Sequence, residues 1–173
     1  MATLRIPILG ASVVPDTTGE CWFEPYSILA TNDVWKHLIA RFGISNSAQP
    51  SVRHGFYGAF KVPKNFVGTA VLVVNWNATI TTGNVVWDFD YRANGGDDAE
   101  SLDQSGTQEA VTVTDAVSGT AHRLLQPTIS LTSANFAADD LVEYYFARDG
   151  ADAADTMAGS AMLHALQFQY ADA

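Results

Sequence analysis

The chain has 173 residues, of which 47% are hydrophobic and 16% are charged, and its formal net charge is −10. A chain this long and this apolar can form one domain with its own core, which excludes an intrinsically disordered protein. The strong negative charge argues against a nucleic-acid partner and against an anionic membrane surface, since both attract basic proteins.

The charge is distributed unevenly along the chain. Residues 1–66 hold six basic and four acidic side chains, a net charge of +2, whereas residues 67–173 hold three basic and fifteen acidic ones, a net charge of −12. This asymmetry has two interpretations of equal weight. It is either a drift in composition, or it marks a strongly negative pole that faces solvent and a milder pole that can face a partner.

The only cysteine and the N-terminal sequence indicate where the protein is made. Cys21 has no second cysteine for an internal disulfide, so we expect a buried, inert thiol. The N-terminal apolar run is short and is broken by Pro7, unlike a secretory signal peptide. No apolar run reaches the length of a transmembrane helix. We therefore expect synthesis in the cytoplasm and a soluble protein, at least until it assembles.

In chain order, the first segment with competing patterns is 31–43. Its apolar residues fit both the helical spacing and the alternation of a strand, and the β-rich character of the rest of the chain favours the strand. Seven later segments predict strands because they are rich in β-branched and aromatic residues between turn signals. They are 54–62, 69–79, 84–93, 108–116, 122–132, 140–149 and 161–171.

The segment 84–93 is the clearest of these strands. Apolar residues alternate with mostly charged ones along it, which is typical of a strand with one face in the core and one in solvent. Pro127 interrupts the segment 122–132, which predicts an edge strand or a bulge there.

Seven to nine strands without alternating helices predict an all-β fold. We expect a single-domain antiparallel β-sandwich, most simply a jelly roll, with another sandwich topology as the alternative. Residues 1–20 would form an N-terminal arm or first strand, and residues 21–173 the sandwich.

Two acidic segments, 88–106 and 148–160, raise the question of a calcium site. Calcium needs several oxygen ligands that converge on one point. Asp88 and Asp90 share a strand face, but neither segment has the spacing of an EF-hand loop. We predict solvated loops, with calcium as a minor alternative. The segment 148–160, with Asp149, Asp152 and Asp155, would connect the last two strands at one tip of the sandwich.

No motif for catalysis is present in the sequence. Nothing selects two of the many carboxylates as an acid–base pair, and no nucleophile elbow or phosphate-binding loop occurs. The histidines, at positions 37, 54, 122 and 164, follow no ligand spacing and are interpreted as isolated surface or strand residues. We therefore predict no catalytic residue, no cofactor, no metal ligand and no enzymatic activity.

The aromatic residues divide into a core set and a possible surface set. Trp76, Trp87, Phe89 and Tyr91 lie on predicted strands and are expected in the core, although aromatic residues on an exposed face could stack on sugar rings. Tyr144 and Tyr145 are consecutive, so strand alternation places them on opposite faces and one of them at the surface or an interface.

Three segments carry a resemblance to a known class of proteins. Residues 60–76 ("FKVPKNFVGTAVLVVNW"), 83–116 and 129–171 resemble small β-sandwich virion proteins of tailed bacteriophages. The resemblance implies a structural role, most simply a trimeric capsid decoration or cement protein that binds and stabilises the head shell. The alternative it offers is a tail or fibre component that binds a glycan receptor on the host surface.

The resemblance also implies partners and a location. We expect a homotrimer that contacts the major capsid protein or another virion protein, with no nucleic-acid and no membrane partner. The protein would be made in the host cytoplasm and reside in the virion. The resemblance carries over no catalytic residue.

Overall fold

The structure is a computed structural model that describes residues 2–9, 14–15, 19, 21–26, 36–43, 49–96 and 101–172. These residues form eleven strands and one 3₁₀ helix. The strands are β1 (Thr3–Pro7), β2 (Val14–Pro15), β3 (Trp22–Pro25), β4 (Leu38–Phe42), β5 (Arg53–Lys61), β6 (Phe66–Ala78), β7 (Asn84–Asn94), β8 (Glu109–Ala116), β9 (Thr128–Leu131), β10 (Leu141–Asp149) and β11 (Ala161–Asp172), and the 3₁₀ helix is Ser133–Asn135. Across these ranges, no helix has the length and apolarity that crossing a bilayer requires.

The strands form two antiparallel sheets. Sheet one has the order β3-β4-β11-β6-β9, with β1 also paired to β11, and sheet two has the order β2-β5-β10-β7-β8. Strands β4 to β11 follow the jelly-roll path, in which the order 4-11-6-9 of one sheet faces the order 5-10-7-8 of the other. The predicted all-β antiparallel sandwich is therefore confirmed.

The core between the sheets is largely aromatic. All four residues expected there are buried: Trp76, Trp87, Phe89 and Tyr91. The Trp87 ring stacks on Phe146 with 5.2 Å between centroids and meets Trp76 edge-on at 5.6 Å. Such pairs add to the stabilisation from buried area because the electron-rich ring face attracts the ring edge. Cys21 is buried as predicted, with 2% of its surface exposed.

Two segments that the sequence leaves open, 31–43 and 122–132, adopt strand structure over part of their length, and residues 122–127 lie outside any strand. Within 31–43, β4 covers Leu38–Phe42, so this part is a strand, and residues 31–35 lie outside the described residues. β9 begins at Thr128, directly after Pro127, and lies at the edge of sheet one. The edge position accommodates a proline because no further strand needs its missing N–H.

β11 contains an irregularity that the sequence shows only as imperfect alternation. Leu163 pairs with Trp76 and the next paired residue, Ala165, pairs with Asn75, so His164 is an extra residue in the ladder. An extra residue of this kind bends a strand and re-aims its side chains. This explains why apolar and polar residues do not alternate regularly along 161–171.

The segment 148–160 is not the fully solvated loop that the sequence predicts. Asp152 is exposed and accepts a hydrogen bond from the amide of Ala154, as expected of a turn. Asp155, however, is buried and forms a bidentate ion pair with Arg148, with contacts of 2.8 and 2.6 Å. The prediction for Asp155 was wrong because Arg148 lies on the inward face of β10, where a partner carboxylate is required.

Candidate functional site

A groove of about 720 Å³ lies on the outer face of sheet two. Its floor is formed by the central strands β5, β10 and β7, and one wall is formed by residues 104–107 of the β7–β8 connection. We refer to it as the sheet-two groove. Clefts of this size with mixed aromatic and polar walls are the usual form of ligand sites in proteins.

Strand pairing brings together the side chains of the floor. Tyr145 of β10 lies opposite Tyr57 of β5 on one side and opposite Asp90 of β7 on the other. Because side chains alternate along a strand, residues in one row across the sheet point to the same face. The preceding residue, Tyr144, is buried in the core, which confirms that the two consecutive tyrosines divide between the faces.

The two outer tyrosines form an aromatic platform. The centroids of the Tyr57 and Tyr145 rings are 4.8 Å apart, and 50% of the Tyr57 surface is exposed. Gly55 makes the platform possible, because a Cβ atom at this position would lie 2.5 Å from Cζ of Tyr145. The absence of a side chain at Gly55 therefore lets the Tyr145 ring pack against the backbone of β5.

Arg53 holds the platform from one side. Its guanidinium carbon is 5.0 Å from the centroid of the Tyr145 ring, a cation–π distance. Its Nη2 donates to Oδ2 of Asp90 at 2.9 Å, and its Nε lies 2.9 Å from Oδ2 of Asp88. Burial lowers the pKa of Arg53, but the hydrogen bond and the charges of these aspartates outweigh it and raise that pKa. Arg53 is thus permanently charged and held by two carboxylates.

Asp88 lies deeper than Asp90 in the same network. Its Oδ1 accepts a hydrogen bond from the hydroxyl of Thr112 at 2.8 Å. Burial raises the pKa of Asp88, while the Thr112 bond and the Arg53 charge act in the opposite direction. Asp88 and Asp90 do share a strand face as predicted, and both contact Arg53.

Arg92 holds the wall of the groove. Its Nε donates to Oε2 of Glu143 at 2.8 Å, and its two terminal nitrogens donate to the carbonyl oxygens of Gln104 and Leu102. Gln104 is also held by a hydrogen bond from its side-chain amide to the side chain of Asn94. One arginine thereby ties the β7–β8 connection to the floor.

The carboxylates that line the groove, Asp90 and Glu143, are each engaged in an ion pair with an arginine. In the part of the chain that the structure describes, no group of three or more His, Cys, Asp or Glu side chains is placed to hold a metal ion. Residues 97–100 of the acidic segment lie outside it.

The histidines are less isolated than the sequence indicates. His37 Nε2 lies 2.6 Å from Nδ1 of His164, and the ring of Tyr26 packs edge-on against His164 at 4.7 Å. The Tyr26 hydroxyl contacts Nδ1 of His122 at 3.1 Å. Burial lowers the pKa of His164 to about 4, and the nearby His37 contributes in the same direction. This cluster lies on sheet one and includes His164, the extra residue in β11, which the sequence shows only as imperfect alternation.

Sequence reasoning did not single out Tyr57 or Arg53. Both are at odd-numbered positions of β5 and so lie on its outer face. The core residues Phe56 and Phe60 are at even-numbered positions and lie on its inner face. An aromatic residue on the polar phase of a central strand is the signal that could have identified the platform. The register with Tyr145 and Asp90 could not be obtained from the sequence, since pairing across the sheet joins distant segments.

The chain is similar to known proteins in fold and not in sequence. No protein-family model matches the chain, and no curated protein matches it in sequence. Among solved structures, an α-L-arabinofuranosidase with bound arabinose has a TM-score of 0.52 at 14% identity, over 95% of this chain and 24% of that chain. This chain therefore corresponds to about a quarter of that enzyme's length, and the likeness concerns the fold alone.

Two further solved structures are single modules of similar size. A family 35 carbohydrate-binding module from Clostridium thermocellum has a TM-score of 0.48 at 14% identity, over 97% of this chain and 98% of that chain. The CBM22-1 xylan-binding domain from Paenibacillus barcinonensis has a TM-score of 0.47 at 10% identity, over 98% of this chain and 94% of that chain.

Proposed function

We propose that the protein is a non-enzymatic β-sandwich module that binds a glycan in the sheet-two groove. The observation that carries this proposal is the platform of Tyr57 and Tyr145 at the floor of a groove whose polar groups are fixed by ion pairs. It corresponds to the host-surface glycan receptor alternative that the sequence resemblance offers.

The platform suits one face of a sugar ring. The C–H groups on a pyranose face are apolar and slightly positive, so they pack well on the negative face of an aromatic ring. Tyr57 is half exposed, which leaves aromatic surface available for this contact. Tyr145 is held by Arg53 and Gly55, so the platform loses little side-chain freedom when a ligand binds.

The polar groups suit the hydroxyls at the edge of the same ring. Asp90 and Glu143 present carboxylate oxygens, and the wall contributes the side chains and backbone of residues 104–107. Charge-assisted hydrogen bonds from hydroxyls to carboxylates are stronger than neutral ones. Because the ion pairs fix these acceptors before the ligand arrives, they favour specific recognition.

The platform is tested by removing Tyr57. On a glycan array that includes bacterial surface polysaccharides, we expect binding by the native protein and at least an approximately tenfold weaker signal for Tyr57→Ala, as for an aromatic hot spot. Trp22→Ala is the matched control, because Trp22 is 39% exposed but belongs to sheet one. Absence of binding by the native protein, or equal losses in both variants, would contradict the proposal.

A virion role is a second proposal, supported by the sequence resemblance. The protein would be a homotrimeric capsid decoration or cement protein in contact with the major capsid protein, or a tail component that uses the groove as a receptor site. Light scattering after size exclusion should give three times the mass of the chain. A monomer at every concentration tested, together with absence of the chain from cryo-electron maps of the particle, would refute this role.

A further inference from the structure

We propose that the sheet-two groove selects uncharged glycans over glycans that carry carboxylate or sulfate groups. The inference rests on the proposed function, since it names the class of sugar that the groove binds. It is based on how the two arginines of the groove are used.

The charge of the first arginine, Arg53, is neutralised by two aspartates. Arg53 contacts Asp88 and Asp90, both at 2.9 Å, and its guanidinium faces the Tyr145 ring. A carboxylate ligand that approached the Nε and Nη2 side of Arg53 would need to replace these aspartates to form a bidentate contact. Displacement would leave a partly buried aspartate without its counter-charge, which is unfavourable.

The second arginine is occupied by the wall. The contacts of Arg92 involve Nε and both terminal nitrogens, directed to Glu143 and to the carbonyls of Leu102 and Gln104. An anion that recruited Arg92 would release the connection that forms one side of the groove. All three nitrogens of Arg92 are therefore engaged, and the Nε and Nη2 atoms of Arg53 already contact two carboxylates, so both arginines are largely committed before a uronate, sialic acid or sulfate arrives.

The remaining charge favours hydroxyl donors. Around the groove, three carboxylates (Asp88, Asp90 and Glu143) stand against two guanidinium groups, so the local balance is negative. Residues 67–173, which supply most of the lining, carry a net charge of −12. This field repels an anionic chain and leaves carboxylate oxygens as acceptors for neutral hydroxyls.

The test uses pairs of related glycans in which one member carries anionic groups and the other does not. Hydroxyethylcellulose is paired with carboxymethylcellulose, methyl-esterified homogalacturonan with its de-esterified form, and N-acetyllactosamine with its sialylated form. All are placed on the same array at about 0.15 M salt, at which distant charges are screened. In each pair whose neutral member binds, we expect the signal from the anionic member to be weaker by about tenfold or more.

A charge substitution in the groove sharpens the test. Asp90→Asn removes one negative charge beside Arg53. It should increase the relative signal of anionic over neutral members about fivefold, the effect of one unit charge at a partly exposed site. Asp152→Asn makes the same change in an exposed turn outside the groove and should leave the ratio unchanged.

The outcomes separate this inference from the proposed function. Binding of anionic glycans as strong as that of their neutral partners, lost in Tyr57→Ala, would overturn the selectivity and leave glycan binding in place. Binding of no glycan would overturn both. Equal ratios in the native protein and Asp90→Asn would also count against the selectivity, since its source would then lie elsewhere.

Discussion

Sheet two carries two arginine–aspartate clusters that differ in burial. Arg148 of β10 points between the sheets, where it and Asp155 have no exposed side-chain surface. Arg53 of β5 points to the outer face, with 37% of its side chain exposed. The two arginines belong to neighbouring residue pairs of the β5–β10 ladder. Arg148 lies opposite His54, and Arg53 lies opposite Asp149.

The inner cluster has every feature of a structural ion pair. Besides Asp155, Arg148 donates to the carbonyl oxygens of Phe42, Met157 and Gly159, and Asp155 accepts from the amide of Val86. A buried charge requires such complete satisfaction because water is absent. The outer cluster keeps contact with water, so it contributes little to stability and its main effect is to fix a surface. The same arginine–aspartate pairing therefore stabilises the fold where it is buried and fixes a surface where it is exposed.

The largest effect is expected in the inner cluster. Asp155→Ala leaves Arg148 buried without a counter-ion, which should lower the free energy of unfolding by about 3–5 kcal/mol. Urea denaturation measures the loss, and Asp152→Asn, which keeps the turn of the same loop, should change stability by less than about 0.5 kcal/mol. A loss below about 1 kcal/mol in Asp155→Ala would show that this ion pair does not hold the loop.

A smaller effect is expected in the outer cluster. Arg53→Gln should lower the free energy of unfolding by about 1 kcal/mol, because its ion pairs are partly hydrated. The same substitution should weaken glycan binding severalfold, since Tyr145 loses the group that holds its ring. If Arg53→Gln destabilised the protein as much as Asp155→Ala while binding was unchanged, the proposed division of roles would be wrong.

The smallest effect is expected from the histidine contact on sheet one. The pKa of His164 is about 4 in the fold and near 6.5 when unfolded. The unfolded chain therefore binds more protons between these values, so stability should rise as the pH increases from about 4 to 6.5. The contribution should be below about 1 kcal/mol because the ring is only partly buried.

Urea denaturation at several pH values between 4 and 7 checks this expectation. His164→Gln should flatten the dependence, while glycan binding at pH 7 should stay as in the native protein, because the contact lies on the other sheet. A pH dependence identical in the variant and the native protein would assign the effect to other groups.

Much of the fold can be predicted from the sequence because alternation is a local signal. In 84–93, apolar residues at every second position (Val85, Trp87 and Phe89) identify both the strand and its buried face. The same logic could have identified Arg148, which shares the inward phase of β10 with Tyr144 and Phe146. A charged residue in a core phase predicts a buried partner, and Asp155 is seven residues away.

The groove could not be predicted because it depends on register between distant segments. Tyr57 and Tyr145 are 88 positions apart in the chain, and only the β5–β10 ladder places them side by side. The same holds for Arg53 and Asp90. The contact between His37 and His164 involves the extra residue in β11, which the sequence shows only as imperfect alternation.

The most direct test of the account is an NMR titration of the ¹⁵N-labelled protein with the glycan that gives the strongest array signal. Glycan binding in the sheet-two groove predicts that amide shifts change around Tyr57, Asp90 and Tyr145 and along residues 104–107, with no change around His37 and His164. Shift changes confined to sheet one, or no saturable changes at all, would contradict the central claim.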